Sequence, residues 1–172
     1  KIVIIEFTAF IAGPLVGQIF YQLGASVIRI DPSKTPIDKD RFPVDENGYS
    51  YYWAELNKGK KLLNINYRKK SDLKDIIQLI KKLYTDKTII IITNLSLPSY
   101  LSYKALSKIF HDIYYLEIYG SSANKEVDYT INAQTGIPYI NGDYNNPQNN
   151  MLPTWDLTTG CIGAVSILSL LT

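Results

Sequence analysis

The sequence predicts an α/β fold in which an open, mainly parallel sheet carries helices on both faces. Segments with strand-like and helix-like spacing of apolar residues alternate along the 172-residue chain. The strand-like segments are apolar without interruption, as in Ile2 to Ile5, which is typical of strands covered on both faces. Strands that alternate with helices form right-handed βαβ units, and such units build a parallel sheet.

The first part of the chain contains two strands, a helix and a long loop. The strand that begins at Ile2 leads into a helix over 13–24, in which Pro14 suits the first turn and Gly24 the position after the last. The segment SVIRI forms the second strand. Residues 31–50 contain three prolines and predict a long loop, and loops of this length are usually functional or disordered.

Three further strands, KKLLNI, TIIII and IYYLEIYG, alternate with helices in the rest of the chain. The clearest helix covers 71–85, with Ser71 as its cap and an apolar stripe along one side. The stripe consists of Leu73, Ile76, Ile77, Ile80 and Leu83. Helices are also expected over SYKALSKIF and over DYTINAQTG, which Gly136 closes, and a final helix is expected from Leu157.

Composition excludes several classes of function. The net charge of +2 with 20% charged residues is near balance, so neither nucleic acid nor a membrane is indicated as a partner. A single cysteine, Cys161, cannot form a disulfide framework, which favours a cytoplasmic protein, and it is expected to pack in the core. No apolar stretch reaches the roughly 18 residues that a membrane span requires.

Metal binding and triad catalysis find little support in the sequence. The one histidine, His111, follows a short apolar helix, and no group of residues has the spacing of a zinc site. The nucleophile motif G-x-S-x-G is also missing. We therefore expect neither a bound metal nor a permanently bound cofactor.

The loops of interest follow the strands, because open parallel sheets bind ligands at the carboxyl ends of their strands. They begin near Phe7, Asp31, Asn66, Asn94 and Gly120. The first loop, AGPLVG, lacks the G-x-G-x-x-G pattern, which disfavours a dinucleotide site. Six cations in NKGKK and YRKK bracket the third strand, and both a solvated basic face and a clamp for phosphate groups explain them.

Two aspartates, Asp128 and Asp156, each stand at the start of a predicted helix. Each carboxylate is expected to cap its helix by accepting a backbone N–H. A capping carboxylate is held in a fixed orientation, which a nucleophile or general base also needs. The sequence therefore leaves both a capping and a catalytic role open for Asp156.

In the order of its motifs the chain resembles the family III CoA-transferases, a group that includes formyl-CoA transferase, carnitine CoA-transferase and alpha-methylacyl-CoA racemases. The opening IIEFTAFIAGPLVGQIFYQLGASVIRID is similar to the family's first strand, A-G-P helix and second strand. ELNKGKKLLNINYR is similar to N-R-G-K-R-S-x-x-L-D-L-K, and IIIITNL to D-V-[LV]-[IV]-E-N-F. VDYTINAQTG, NGDYNNP and TWDLTTG are similar to later motifs of the family, so the resemblance covers essentially the whole chain.

The resemblance implies a Rossmann-like large domain over residues 1–172 that binds the CoA thioester substrate at its strand ends. It implies that Asp156 is the catalytic aspartate, which forms mixed-anhydride and aspartyl-CoA thioester intermediates. It also places residues of this chain at the family's CoA contacts. These are Ile11, Ala12, Ile65, Asn66, Tyr67, Arg68, Asn94, Leu95, Ser96 and Asp128.

Several positions depart from the family's pattern. Pro32 stands where some members have an arginine for CoA, and Asn66 replaces an aspartate. Val127 replaces the residue that is the histidine of the racemases' acid/base pair, which disfavours racemase activity. Family members are more than twice as long, so their second domain, their glycine-rich loop and parts of their interlocked dimer are expected beyond residue 172.

The resemblance supports two interpretations of the chain. It is either part of an acyl-CoA:carboxylate CoA-transferase, truncated or split, or a non-catalytic CoA-binding or assembly subunit or degenerate relative. Either version is expected to form a homodimer or to join a partner chain that supplies the missing half.

Overall fold

Five parallel strands form one sheet in the part of the chain that this computed structural model describes, residues 1–121 and 126–172. The strands are β1 (Ile2–Phe7), β2 (Ser26–Asp31), β3 (Lys61–Asn64), β4 (Thr88–Thr93) and β5 (Tyr114–Glu117). All four pairings between neighbours are parallel. The α/β class and the parallel sheet predicted from the sequence are therefore confirmed.

The strand order is β3-β2-β1-β4-β5. From β1 the chain moves outward through β2 to β3, and β4 then pairs with the other side of β1 before the chain continues to β5. The order thus reverses between β1 and β4. Loops that leave the carboxyl ends of two such strands diverge, and the crevice between them is the usual ligand site of open α/β sheets.

Helices cover both faces of the sheet, as predicted. They are α1 (Ala12–Gln22), α2 (Tyr51–Asn57), α3 (Leu73–Tyr84), α4 (Tyr103–Leu106), α5 (Asp128–Thr135), α6 (Ile137–Asn141) and α7 (Thr154–Leu171). Helices α3 and α4 pack on one face, where Ile5 and Ile76 lie in the core. Helices α1 and α7 pack on the other face, where Ile4 and Ile167 lie. Alternate residues of β1 serve the two cores, because successive side chains of a strand point to opposite faces.

Several helices differ from the sequence-based expectation. Helix α4 ends at Leu106 rather than at Phe110, and helices α2 and α6 were not predicted. Helix α2 is capped by Ser50, whose hydroxyl accepts a hydrogen bond from the Trp53 amide at 3.2 Å. Ser71 does not cap α3, because it lies in a 3-10 turn ahead of the helix and donates to Asp72 Oδ1 at 2.6 Å. Helix α7 begins at Thr154 rather than at Leu157.

Helix α7 also corrects two expectations about the end of the chain. By length and composition it is the one helix among the described residues that could cross a membrane, contrary to the expectation that no stretch is long enough. It packs on α1, where a Cβ on Gly160 would lie 2.7 Å from Leu15 Cδ2, but only 22% of the helix is buried. Cys161 is exposed on this helix and is not a core residue.

A buried layer of charged residues lies on the α1 face, near the carboxyl ends of β1 and β2. Lys60 Nζ contacts Glu6 Oε1 at 2.7 Å, and both side chains are fully buried. Lys60 also donates to the carbonyl of Pro14 at 2.8 Å. Burial raises the pKa of Glu6 and lowers the pKa of Lys60, although the attraction between the two groups opposes both shifts. The cation therefore joins β1 to the first turn of α1 from inside the protein.

Replacement of Lys60 with methionine is expected to destabilise the sheet, because it leaves Glu6 buried without its cation. Loss of one partner from a buried pair costs about 3–5 kcal/mol. Amide hydrogen exchange in β1 and β2, followed by mass spectrometry on the full protein, is therefore expected to accelerate roughly 100-fold or more. The matched control is Lys61→Met, since Lys61 is adjacent but exposed. Equal exchange rates in the two variants would show that buried Glu6 does not depend on its cation.

Candidate active site at the carboxyl edge of the sheet

Helices α1 and α7 both begin at the carboxyl edge of the sheet and run side by side. Gly160, near the start of α7, packs on Leu15 in the first turn of α1. Further along, a Cβ on Gly163 would lie 3.1 Å from Val16, so the glycines allow the two helices to approach closely. Asp156 lies one turn before Gly160, at the end of α7 that packs on the first turn of α1.

Asp128 caps helix α7 rather than its own helix. Its Oδ2 accepts hydrogen bonds from the backbone amides of Trp155 at 2.8 Å and Asp156 at 3.2 Å. The residue at the cap position of α5 is instead Val127, whose amide donates to Thr130 Oγ1. The expectation that Asp128 and Asp156 each cap their own helix is wrong, because a buried carboxylate from α5 already occupies the amides that open α7.

Asn132 holds Asp128 and the start of α7 in place. Its Nδ2 lies 3.4 Å from Asp128 Oδ1, and its Oδ1 accepts a hydrogen bond from Trp155 Nε1 at 2.7 Å. Asn132 is fully buried and lies one turn after Asp128 on α5. The fixed position of α7 against α5 therefore depends on two polar side chains that face the same helix start.

The carboxylate of Asp156 accepts no hydrogen bond from any residue that the structure describes, although the side chain is half-buried. Burial, and after it the nearby Asp128 carboxylate, raise the pKa of Asp156 to about 6, while Arg41 opposes the shift. A carboxylate with this pKa is ionised above pH 6 but poorly solvated. Such a group has an oxygen lone pair available to attack an electrophilic carbon.

Asn94 joins the ends of β1 and β4 at the point where the strand order reverses. Its Nδ2 donates to the carbonyl of Ala9 at 2.8 Å, and its Oδ1 accepts from the Ala9 amide at 3.0 Å. Phe10, which follows Ala9, has a φ of 63°, and its amide donates to Asp38 Oδ2 at 2.8 Å. These contacts set the path of the loop that leads into α1.

The residues expected at CoA contacts lie after the carboxyl ends of β1, β3 and β4, apart from Asp128. Ile11 and Ala12 are buried at the start of α1, whereas Arg68 and Ser96 are exposed. The half-buried members are Ile65, Asn66, Asn94 and Leu95. Tyr67 is buried, with its ring centroid 5.2 Å from that of Phe7. Asp128 lies at the start of α7, as described above.

The basic stretch around β3 does not act as one surface. Lys60 is buried against Glu6, contrary to both explanations offered for the six cations. The other five, Lys58, Lys61, Arg68, Lys69 and Lys70, are exposed. Exposure of these five side chains agrees with both explanations, a solvated face and a clamp for phosphate groups, whereas Lys60 forms a pair in the core.

A cavity of about 120 Å³ lies at the carboxyl ends of β2 and β3. Its lining consists of Asp31, Lys34, Pro36, Lys39, Trp53, Leu62 and Asn64. The cavity therefore offers two cations to an anionic group, with an indole beside them. Sequence reasoning missed Lys34, Lys39 and Trp53, although the cations of the long loop after β2 were a usable signal.

A metal centre finds no support in the structure. No group of three or more histidine, cysteine or acidic side chains within residues 1–121 and 126–172 is arranged to hold a metal ion. His111 is exposed after α4, far along the chain from the two aspartates at the start of α7.

Comparisons with known proteins agree on one family. The sequence model described as CoA-transferase family III matches residues 1–172. The chain is 37% identical over 170 residues to 2-methylfumaryl-CoA isomerase of Chloroflexus aurantiacus. The alignment covers 96% of the chain and 41% of that protein. It is 22% identical over 185 residues to succinyl-CoA:mesaconate CoA-transferase of Haloarcula marismortui. That alignment covers 96% of the chain and 46% of the other protein.

Solved structures share the fold. A CaiB/BaiF family protein from Brucella suis superposes with a TM-score of 0.82 at 24% identity, over 99% of the chain and 48% of that protein. Rv3272 from Mycobacterium tuberculosis, in its orthorhombic form, superposes with a TM-score of 0.80 at 20% identity, over 99% of the chain and 50% of that protein. The chain thus spans about half the length of the proteins that it matches or less.

Replacement of Asp128 with asparagine is expected to lower the pKa of Asp156 below about 6, because it removes a neighbouring negative charge. The asparagine keeps an oxygen that can accept from the amides of α7. An NMR titration of the labelled aspartate carboxyl carbons measures the change.

The matched control is Asp143→Asn, because Asp143 also accepts backbone amides, from Asn145 and Asn146, but lies in a different loop. An Asp156 titration that is the same in both variants would show that the two carboxylates do not interact.

Proposed function

The chain belongs to CoA-transferase family III, and from that premise we propose that it carries the CoA-binding part and the nucleophile of an enzyme that moves CoA between carboxylic acids. Asp156 is the proposed nucleophile. The observation that supports this role is a half-buried carboxylate that no described residue donates a hydrogen bond to, at the start of a helix that Asp128 caps in its place.

The reaction proceeds through two kinds of acyl intermediate on Asp156. A carboxylate oxygen attacks the thioester carbon, the C–S bond breaks, and CoA leaves as the thiolate from a mixed anhydride. The thiolate then attacks the Asp156 carbonyl carbon, which releases the donor acid and leaves an aspartyl-CoA thioester.

The acceptor carboxylate reverses these steps. It attacks the aspartyl thioester and displaces the thiolate, which gives a second mixed anhydride. The thiolate attacks the acyl carbon of the acceptor, so a new CoA thioester leaves and the Asp156 carboxylate is restored. One oxygen of Asp156 leaves with the donor acid in each cycle, and one oxygen from the acceptor replaces it.

The raised pKa of Asp156 suits this chemistry. Water stabilises an exposed carboxylate and makes it a weak nucleophile, whereas burial removes part of that solvation. The group remains ionised at neutral pH because its pKa is about 6. Burial and the nearby Asp128 therefore increase the reactivity of Asp156 without protonating it at working pH.

CoA is proposed to bind along the carboxyl edge, from the cavity at β2 and β3 towards Asp156. Lys34 and Lys39 offer charges to its phosphate groups, and Trp53 offers an aromatic surface to its base. Some family members have an arginine where this chain has Pro32. The cations that line the cavity here are therefore the two lysines.

Dicarboxylic acids are the proposed acyl groups. Both curated relatives are named for CoA thioesters of dicarboxylic acids, 2-methylfumaryl-CoA in one and succinyl-CoA in the other. A dicarboxylate offers two carboxyl groups to the same nucleophile. CoA transfer between two molecules and transfer between the two ends of one molecule therefore use the same intermediates.

Racemisation is disfavoured by the residue before Asp128. Val127 is 55% exposed and has no group that exchanges protons.

The remaining part of the active site is proposed to come from sequence outside residues 1–172. A homodimer or a partner chain is proposed to complete the site. A non-catalytic CoA-binding subunit is the alternative that the next experiment separates from an enzyme.

Replacement of Asp156 with asparagine in the full protein is expected to reduce CoA transfer from succinyl-CoA by roughly 1,000-fold or more, because no nucleophile remains. In the unmodified protein, hydroxylamine is expected to trap the acyl intermediate as a hydroxamate on Asp156. Mass spectrometry of the peptide that contains Trp155 and Asp156 detects it.

The control is Asp112→Asn, an exposed carboxylate at the amino edge of the sheet, which is expected to keep full activity. An active protein without a hydroxamate on Asp156 would rule out the nucleophile. Tight CoA binding without any turnover would instead favour the non-catalytic subunit.

A double replacement, Lys34→Gln with Lys39→Gln, is expected to weaken CoA binding about 5- to 20-fold, because it removes two charges from the phosphate site. Calorimetric titration of the full protein with CoA measures the effect, which is expected to shrink at high salt.

Lys58→Gln with Lys61→Gln is the matched control, since both lysines are exposed and lie outside the cavity. Equal weakening in the two double variants would indicate a general effect of charge instead of a site.

A further inference from the structure

The loop after β2 is fixed by a buried aspartate. Asp38 is 2% exposed and binds Arg29 through Nη2 at 2.7 Å. Its second oxygen accepts from the Phe10 amide at 2.8 Å, which ties the loop to the start of α1. Arg41 follows one turn later, and its amide donates to the Asp38 carbonyl at 3.3 Å. The buried contacts therefore determine where Arg41 lies.

The guanidinium of Arg41 has no hydrogen-bond acceptor among the described residues. Its Cζ lies 5.0 Å from the ring centroid of Tyr52, so the cation rests on an aromatic face. Its Nη1 is buried without a partner in the described part of the chain. A buried donor without an acceptor is unfavourable, and more so when it is charged. The unused donors therefore favour an acceptor that the protein itself does not supply.

Two contacts link Arg41 to the reacting group. Asp38 ties the loop of Arg41 to the start of α1, and Gly160 near the start of α7 packs on Leu15 in the first turn of α1. The charge of Arg41 lowers the pKa of Asp156, against the larger effects of burial and of Asp128. The two side chains form no ion pair within 4.0 Å, so Asp156 does not occupy the guanidinium.

We propose that Arg41 binds the free carboxylate of a dicarboxylic acyl group while Asp156 attacks its thioester. The inference rests on the proposed function. A guanidinium presents its donors as a planar fork that matches a carboxylate in a bidentate pair. Tyr52 acts as a positioning residue, because its ring supports the guanidinium.

A phosphate of CoA is a less suitable partner for Arg41. The cavity at β2 and β3 has two lysines of its own, and neither Arg41 nor Tyr52 lines it. Arg41 instead acts electrostatically on the carboxylate at which the acyl group reacts. The charge of Arg41 therefore serves recognition of the acyl group, whereas Lys34 and Lys39 serve recognition of CoA.

The test compares two thioesters that differ in one carboxylate, succinyl-CoA and butyryl-CoA. Binding is measured by calorimetry on the full protein with Asp156→Asn, so that turnover does not interfere. Succinyl-CoA is expected to bind about 10- to 100-fold more tightly than butyryl-CoA, because only succinyl-CoA pairs with the guanidinium. Adding Arg41→Gln is expected to remove this preference while it leaves butyryl-CoA binding unchanged.

Two further variants keep the result interpretable. Arg41→Lys retains the charge without the fork and is expected to restore part of the preference. Asp40→Asn removes the charge of Asp40, the exposed residue next to Arg41, and is expected to leave the preference for succinyl-CoA intact. Circular dichroism on each variant checks that the fold is retained.

The inference is overturned if Arg41→Gln weakens both thioesters equally, or if the protein does not distinguish them before Arg41 is changed. The hydroxylamine experiment decides the nucleophile separately. A protein that selects succinyl-CoA through Arg41 but forms no hydroxamate on Asp156 would retain this inference and lose the proposed function.

Discussion

The candidate site depends on one interaction, in which the Asp128 carboxylate accepts the first amides of α7. The open amides of a helix start need an acceptor, and an aspartate in the first turn is an ordinary source of one. Because α5 supplies that acceptor, the carboxylate of Asp156 is left without a hydrogen-bond partner among the described residues. The same contact brings a second negative charge close to Asp156, which adds to the effect of burial in raising its pKa. Capping and reactivity are thus divided between two aspartates.

The buried charged layer gives the site its second constraint. Glu6, Arg29 and Lys60 are buried under the long loop, and their partners join β1, β2, α1 and the loop to one another. A layer of this kind contributes little net stability, since desolvation offsets most of the attraction. It does fix geometry, because each charge has few positions in which it is paired. The loop that carries Arg41 and the lysines of the cavity is held in this way.

The fold was accessible from the sequence because apolar periodicity reports burial directly, as in the uninterrupted run that becomes β4. The roles of the two aspartates were less accessible. A cap is assigned from the residue next to a helix, and nothing in the local sequence shows that Asp128 reaches a helix that begins 26 residues later. The burial of Lys60 was missed for the same reason, since its partner Glu6 is distant in sequence. Long-range polar pairing leaves no periodic signal.

The most direct measurement follows the oxygen atoms of Asp156. The full protein is incubated with succinyl-CoA and an acceptor dicarboxylate whose carboxyl oxygens carry a heavy isotope, and the peptide that contains Asp156 is then analysed by mass spectrometry. An aspartyl nucleophile predicts that heavy oxygen accumulates in the Asp156 carboxylate as turnover proceeds. Complete turnover with no heavy oxygen in Asp156 would contradict the account.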